Sequence, residues 1–184
     1  MQRRELIRKI AILTGAAVAG GDLFLSGCGT SDNTAAGLFS PADETLFGEI
    51  AETIIPATDT PGARDAGVGP FMVNYATDCY DTKQQQLLKE GIIRLNELAR
   101  KQSGADFIKL PPAERQSLLE AIDKQAKDAA TAGGATHYFT LMKQMVLLGY
   151  FTSQPGATKL LRYIPVPGKY QGCIDYKTGE KAWA

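Results

Sequence analysis

The sequence predicts an all-α protein: a single helical domain of about five helices over residues 40–184, ending in an irregular aromatic tail and preceded by a signal peptide. Three observations carry this expectation. Apolar residues recur three and four apart in successive segments, each opened by a capping residue or proline and most closed by glycine or proline. No stretch shows a βαβ pattern or an internal repeat period. The first 28 residues run from basic to apolar to small, and then reach a cysteine.

Residues 1–27 read as a leader, not a membrane-spanning helix. Arg3, Arg4, Arg8 and Lys9 form the basic opening, residues 10–25 are mostly apolar, and Gly15, Gly20, Gly21 and Asp22 keep that run only moderately hydrophobic. The Arg3-Arg4 pair followed by Leu6, Ile7 and Arg8 resembles a twin-arginine signal. A Sec signal with an incidental arginine pair is the alternative. Leu25-Ser26-Gly27-Cys28 resembles a bacterial lipobox, which makes Cys28 a lipidation site facing the periplasm. Gly29 follows it, so inner and outer membrane both stay open. Residues 28–39 are small and polar and read as a tether. Removing residues 1–27 leaves 16 basic against 18 acidic residues, a balance that argues against nucleic-acid binding.

Ser40-Pro41-Ala42-Asp43 starts the first helix, about 41–55, with serine as the N-cap, proline in the first turn and an acid near the positive end of the helix dipole. Leu46, Phe47, Ile50 and Ile54 share one face until Pro56. The loop from Pro56 to Pro70 holds three prolines and three glycines. Its length suggests an ordered, functional connection. A second helix is expected from Pro70 to Tyr80. A third starts at Asp81 or Thr82, carries Leu87, Leu88, Ile92, Leu95 and Leu98, and ends at Ser103-Gly104. Pro111-Pro112 opens a fourth with Leu118, Leu119 and Ile122 inward. After a turn over 131–135, a fifth starts at Gly134 or Thr136 and runs to Tyr150. It is apolar almost all round, which marks it as the central element.

That helix delivers the chain into residues 147–176, which hold four of the seven tyrosines without helical or strand periodicity. Tyrosine combines an apolar body with a polar tip and suits surfaces covered in one state and wet in another. Tyr150, Phe151, Tyr163 and Tyr170 are therefore candidate partner-binding residues. A tail folded over the domain's own core is the alternative. The single histidine, His137, lies at the start of the fifth helix and reads as a capping or surface residue, since no ligand set surrounds it. No haem-attachment, dinucleotide-binding or P-loop motif is present, and the chain offers no catalytic, cofactor-binding or metal site. Cys79 and Cys173 remain after lipidation of Cys28. In an oxidising compartment they are disulfide candidates, with two free buried thiols or a bond to a partner as the alternatives.

Phe47-x-x-Ile50-Ala51-x-Thr53-Ile54-Ile55-Pro56, Thr58-Asp59-Thr60-Pro61-Gly62-Ala63, Leu148-Gly149-Tyr150-Phe151-Thr152-Ser153 and Pro167-Gly168-x-Tyr170-x-Gly172-Cys173 together resemble the gluconate 2-dehydrogenase subunit 3 family. The resemblance covers nearly all of residues 40–184. It implies a noncatalytic small subunit of a periplasmic sugar or sugar-acid dehydrogenase. The large subunit of such a complex is an FAD-containing enzyme of the glucose-methanol-choline type, and a cytochrome c commonly receives its electrons. The small subunit escorts and assembles the large one. FAD is then expected in the partner and no cofactor in this chain. Many relatives have no lipobox, so membrane tethering rests on residues 25–28 alone. A stand-alone periplasmic sugar-binding lipoprotein is the alternative of a different class.

Overall fold

The computed structural model describes Glu5 and residues 37–166, 168–169 and 171–183. The leader apart from Glu5, Cys28, most of the tether and Tyr170 lie outside the described residues. Those from Leu38 onward form one compact unit. Among them are five α-helices and no strand: α1 (Pro41–Ile54), α2 (Val68–Cys79), α3 (Thr82–Ser103), α4 (Pro112–Thr131) and α5 (Tyr138–Thr152). A short 3-10 turn, Phe107–Lys109, precedes α4, and a π-helical turn, Gly156–Leu160, follows α5.

The ends of the helices follow their local chemistry. The Ser40 hydroxyl accepts from the Asp43 amide at 3.2 Å, and the Asp43 carboxylate accepts from the Ser40 amide at 2.8 Å. This reciprocal box satisfies two amides that have no partner inside the helix. Asp81 and Gln84 repeat it at α3, and Gly104 at φ 72° closes that helix, a conformation open to glycine at little cost. α2 starts two residues earlier than expected, because Pro70 sits in its first turn, where an absent N–H is no loss. The Gln85 side-chain amide donates to the carbonyls of Ala76, Thr77 and Tyr80 at 3.0 to 3.1 Å and so covers the exposed end of α2.

α5 is the hub, touching each of the other four helices. Met142, Met145, Val146 and Tyr150 from α5 are fully enclosed with Phe47 and Ile50 of α1, Met72 of α2, Leu88 and Leu95 of α3, and Ile122 of α4. Phe107 of the 3-10 turn completes this core. Two glycines set how closely α5 is approached. A Cβ on Gly91 would lie 2.5 Å from the Tyr138 ring, and one on Gly149 would lie 2.5 Å from the Phe71 ring. The domain also begins slightly before residue 40: Phe39, expected in the tether, is buried and meets Phe47 edge to face at 5.3 Å between ring centres.

Candidate docking surface

The Pro/Gly loop between α1 and α2 is ordered by specific bonds. One oxygen of Glu52, in the last turn of α1, accepts from the Ala57 amide at 3.0 Å, and the other accepts from the Arg64 amide at 2.9 Å. Gly62 makes room for that carboxylate, since a Cβ there would stand 2.3 Å from a Glu52 oxygen. Ala63 is fully buried, and its amide donates to the Ile55 carbonyl at 3.0 Å. The Tyr150 hydroxyl reaches the same loop and donates to the Pro61 carbonyl at 2.7 Å. Loop and central helix are thus one packed unit, with Arg64, Asp65 and residues 56–59 exposed to solvent.

The ring of Tyr150, in the last turn of α5, is 0% exposed. Its reading as a surface anchor is therefore corrected: Tyr150 is a core side chain whose polar tip is satisfied internally. Phe151, its neighbour, is 39% exposed and meets Tyr150 edge-on. Leu147 and Leu148 share its outward face at 39% and 40%. The outer side of α5 therefore changes from Lys143 and Gln144 to an apolar stripe of Leu147, Leu148 and Phe151 as the helix ends. Sequence reasoning missed the two leucines. The run Val146-Leu147-Leu148-Gly149-Tyr150-Phe151 contained the signal, because successive helical residues are about 100° apart and six in a row cannot all face one core.

After α5 the chain turns through Gly156, where a Cβ would collide with the Tyr150 carbonyl oxygen at 1.9 Å. The described residues from Arg162 to Trp183 are all exposed. Tyr163, a candidate partner-binding residue, is 53% exposed. The tail closes on itself: the Arg162 amide donates to the Ala182 carbonyl at 2.8 Å, and the Arg162 guanidinium lies 4.2 Å from the centre of the Trp183 ring. This closure bears on the cysteines. Cys79, at the end of α2, and Cys173, in the tail, are free thiols, and both are exposed. The expected Cys79–Cys173 disulfide is absent, and so is the alternative of two buried thiols. The tail returns to its own start at Arg162 and carries Cys173 in an exposed stretch.

His137 caps α5 as its position suggested, with Nδ1 accepting from the Phe139 amide at 3.2 Å. Burial, with the nearby Arg94 charge, holds its pKa below the ordinary value of 6.5, a direction that favours the neutral ring. An ionised cluster beside the loop is built on Glu49 and Arg115. Arg115 donates through Nε to the Leu110 carbonyl at 2.9 Å, through Nη2 to the Ile108 carbonyl at 2.5 Å and through Nη1 to Glu49. Arg64 pairs with the other Glu49 oxygen at 3.0 Å. Burial pushes the Glu49 carboxyl up, but the bonds and charges of Arg115 and Arg64 outweigh it and hold it below the ordinary range. With Glu52, Pro56 and Gln116 these residues line an open cleft of about 550 Å³. Among the described residues, no group of three or more His, Cys, Asp or Glu is placed to hold a metal ion. None of the described helices is long and apolar enough to cross a membrane.

The outward apolar stripe, the pinned loop and the exposed tail are set on a helical body whose bounds coincide with one family. The family model described as Gluconate 2-dehydrogenase subunit 3 matches residues 41–168, from the first residue of α1 into the tail. The resemblance was read over nearly all of residues 40–184, and the match ends at residue 168, before Cys173 and Tyr176. No curated protein and no solved structure matches the chain. The match spans well over half of the 184 residues, and the chain belongs to the gluconate 2-dehydrogenase subunit 3 family.

Proposed function

We propose that this chain is a noncatalytic accessory subunit that escorts, assembles and tethers an FAD-dependent sugar or sugar-acid dehydrogenase on the periplasmic side of a bacterial membrane. Family membership supports a place in a gluconate 2-dehydrogenase complex. The observation that carries the docking role is the end of α5, where Leu147, Leu148 and Phe151 stay exposed on the helix that otherwise forms the centre of the core. A hydrophobic stripe of this kind, continuous with a well-packed body, is the usual form of a protein contact. The partner is a flavoprotein of the glucose-methanol-choline type that holds the FAD and performs the oxidation, with a cytochrome c as electron acceptor. Arg3-Arg4 sends the pair through the twin-arginine route, and the acylated Cys28 anchors it.

Co-expression of the tagged chain with a flavoprotein of the glucose-methanol-choline type from the same genome tests this reading. The wild-type pair is expected to co-purify with flavin absorbance, and the small chain alone to show neither flavin nor dehydrogenase activity. Leu148→Asp with Phe151→Asp should weaken the complex at least about thirtyfold while leaving thermal unfolding near wild type, because both side chains already face outward. Cys28→Ser should move the complex from the membrane to the soluble fraction. Sugar oxidation by the isolated chain, or wild-type recovery of the flavoprotein by the folded double variant, contradicts the proposal or its chosen face.

A further inference from the structure

The central helix is entered through a turn that buries nothing. Residues 132–136 are all exposed, and Gly133 takes φ 69° within them. Tyr138 and Phe139, immediately afterwards, are buried. The passage from exposed turn to buried helix falls on His137. Its Nδ1 accepts from the Phe139 amide at 3.2 Å, and its carbonyl accepts from the Thr140 amide at 3.0 Å. Beside it the Tyr138 ring packs on α3, so close to Gly91 that a Cβ there would stand 2.5 Å from the ring. One imidazole lone pair thus joins the exposed turn to the first turn of α5 at the point where that helix seats on α3.

That lone pair exists only while Nδ1 carries no proton. Protonation turns the acceptor into a donor that faces another donor, and it sets a positive charge at the positive end of the α5 dipole. The charge facing the ring from α3 is Arg94, which repels the cation and is itself paired with Glu90 at 4.0 Å. On α5, the Tyr138 ring lies 4.3 Å from the imidazole between centres, and burial raises its phenol pKa, so it stays uncharged in this range.

We infer that His137 is an acid-operated latch: the neutral imidazole closes the entry of α5, and protonation frees the turn 132–137 and the first amides of the helix while the rest of the core stays folded. The far end of α5 is held independently, by the Tyr150 hydroxyl on the Pro61 carbonyl at 2.7 Å, which confines the release to the entry. Because the folded pKa lies below 6.5, the latch is complete above about pH 6.5 and is lost as the pH falls through the value of the folded ring.

Hydrogen exchange of the full chain between about pH 7.5 and about pH 5, corrected for intrinsic rates, tests the latch. Protection of the Phe139 and Thr140 amides should fall about fivefold to tenfold on acidification, with a midpoint that follows the His137 imidazole resonance. Amides from Val146 to Tyr150 should keep theirs. His137→Asn retains an acceptor at the N-cap but does not titrate, so its profile should be flat, whereas His137→Ala should show the low protection at both ends of the range. Arg94→Met removes the repelling charge and should move the midpoint upward. A flat profile in the wild-type chain, or an equal fall in His137→Asn, overturns the inference. So does an equal loss from Val146 to Tyr150, which would make the acid response global.

Discussion

Tyr150→Ala is expected to lower the unfolding free energy by about 3–5 kcal/mol, a large part of the stability of a domain of this size. The ring is completely enclosed at the meeting point of α5 and the Pro/Gly loop, so truncation leaves a cavity as well as losing the transfer free energy of the ring. The Pro61 carbonyl also loses the hydroxyl that donates to it. Tyr150→Phe separates these effects by keeping the ring and deleting only the 2.7 Å hydrogen bond, at an expected cost of about 1 kcal/mol. Urea unfolding followed by circular dichroism measures both. An alanine variant within about 1 kcal/mol of wild type would show that the ring is not structural and would return it to the list of surface anchors.

Arg115→Met should cost about 2 kcal/mol at pH 7, less than the roughly 3–5 kcal/mol for breaking a fully enclosed pair, because Arg64 remains on Glu49 and solvent reaches the site. Arg115→Lys should lose nearly as much, since one ammonium cannot span Leu110, Ile108 and Glu49 as the guanidinium fork does. The two variants should also share a pH signature. Glu49 has its folded pKa below its unfolded value, so its contribution is present above about pH 4.5 and is lost as pH falls through the folded pKa. Without Arg115, burial pushes the carboxyl up with less to oppose it, and this part of the acid dependence should shrink or reverse. Asp123, held low by Lys127 and Lys143, keeps its own dependence in all variants and serves as the internal control. Wild-type acid unfolding in Arg115→Met would disprove the assignment.

Features written in neighbouring residues were legible before the structure. Ser40 with Asp43, Asp81 or Thr82, and Gly104 placed helix ends correctly, because caps act over three or four residues. The amphipathic period likewise identified the inward residues of α3 and α4. α5 was legible as the centre but not in orientation. A helix that is apolar nearly all round has no polar face to show which residues turn outward, so Tyr150 was taken as a partner-binding candidate and the outward Leu147 and Leu148 were not singled out. The bonds that settle such questions join distant residues: Tyr150 to Pro61, and Arg115 to Glu49. Nothing local encodes them. The intrachain Cys79–Cys173 pairing is not formed for a related reason, since compartment and parity say nothing about where the Arg162–Trp183 contact sends the tail.

The Tyr150 to Pro61 hydrogen bond spans 89 positions of sequence. During synthesis α1 and the Pro/Gly loop leave the ribosome long before α5 exists, so the loop cannot take its final conformation until the last helix has been made. Contacts of such separation form late, after the entropy of closing a long loop has been met. If residues 1–27 are the export signal proposed above, the nascent chain displays it throughout a period in which its centre is missing. A transport system that accepts only completed proteins would have in this single phenol-to-carbonyl contact a physical marker that translation has passed Tyr150.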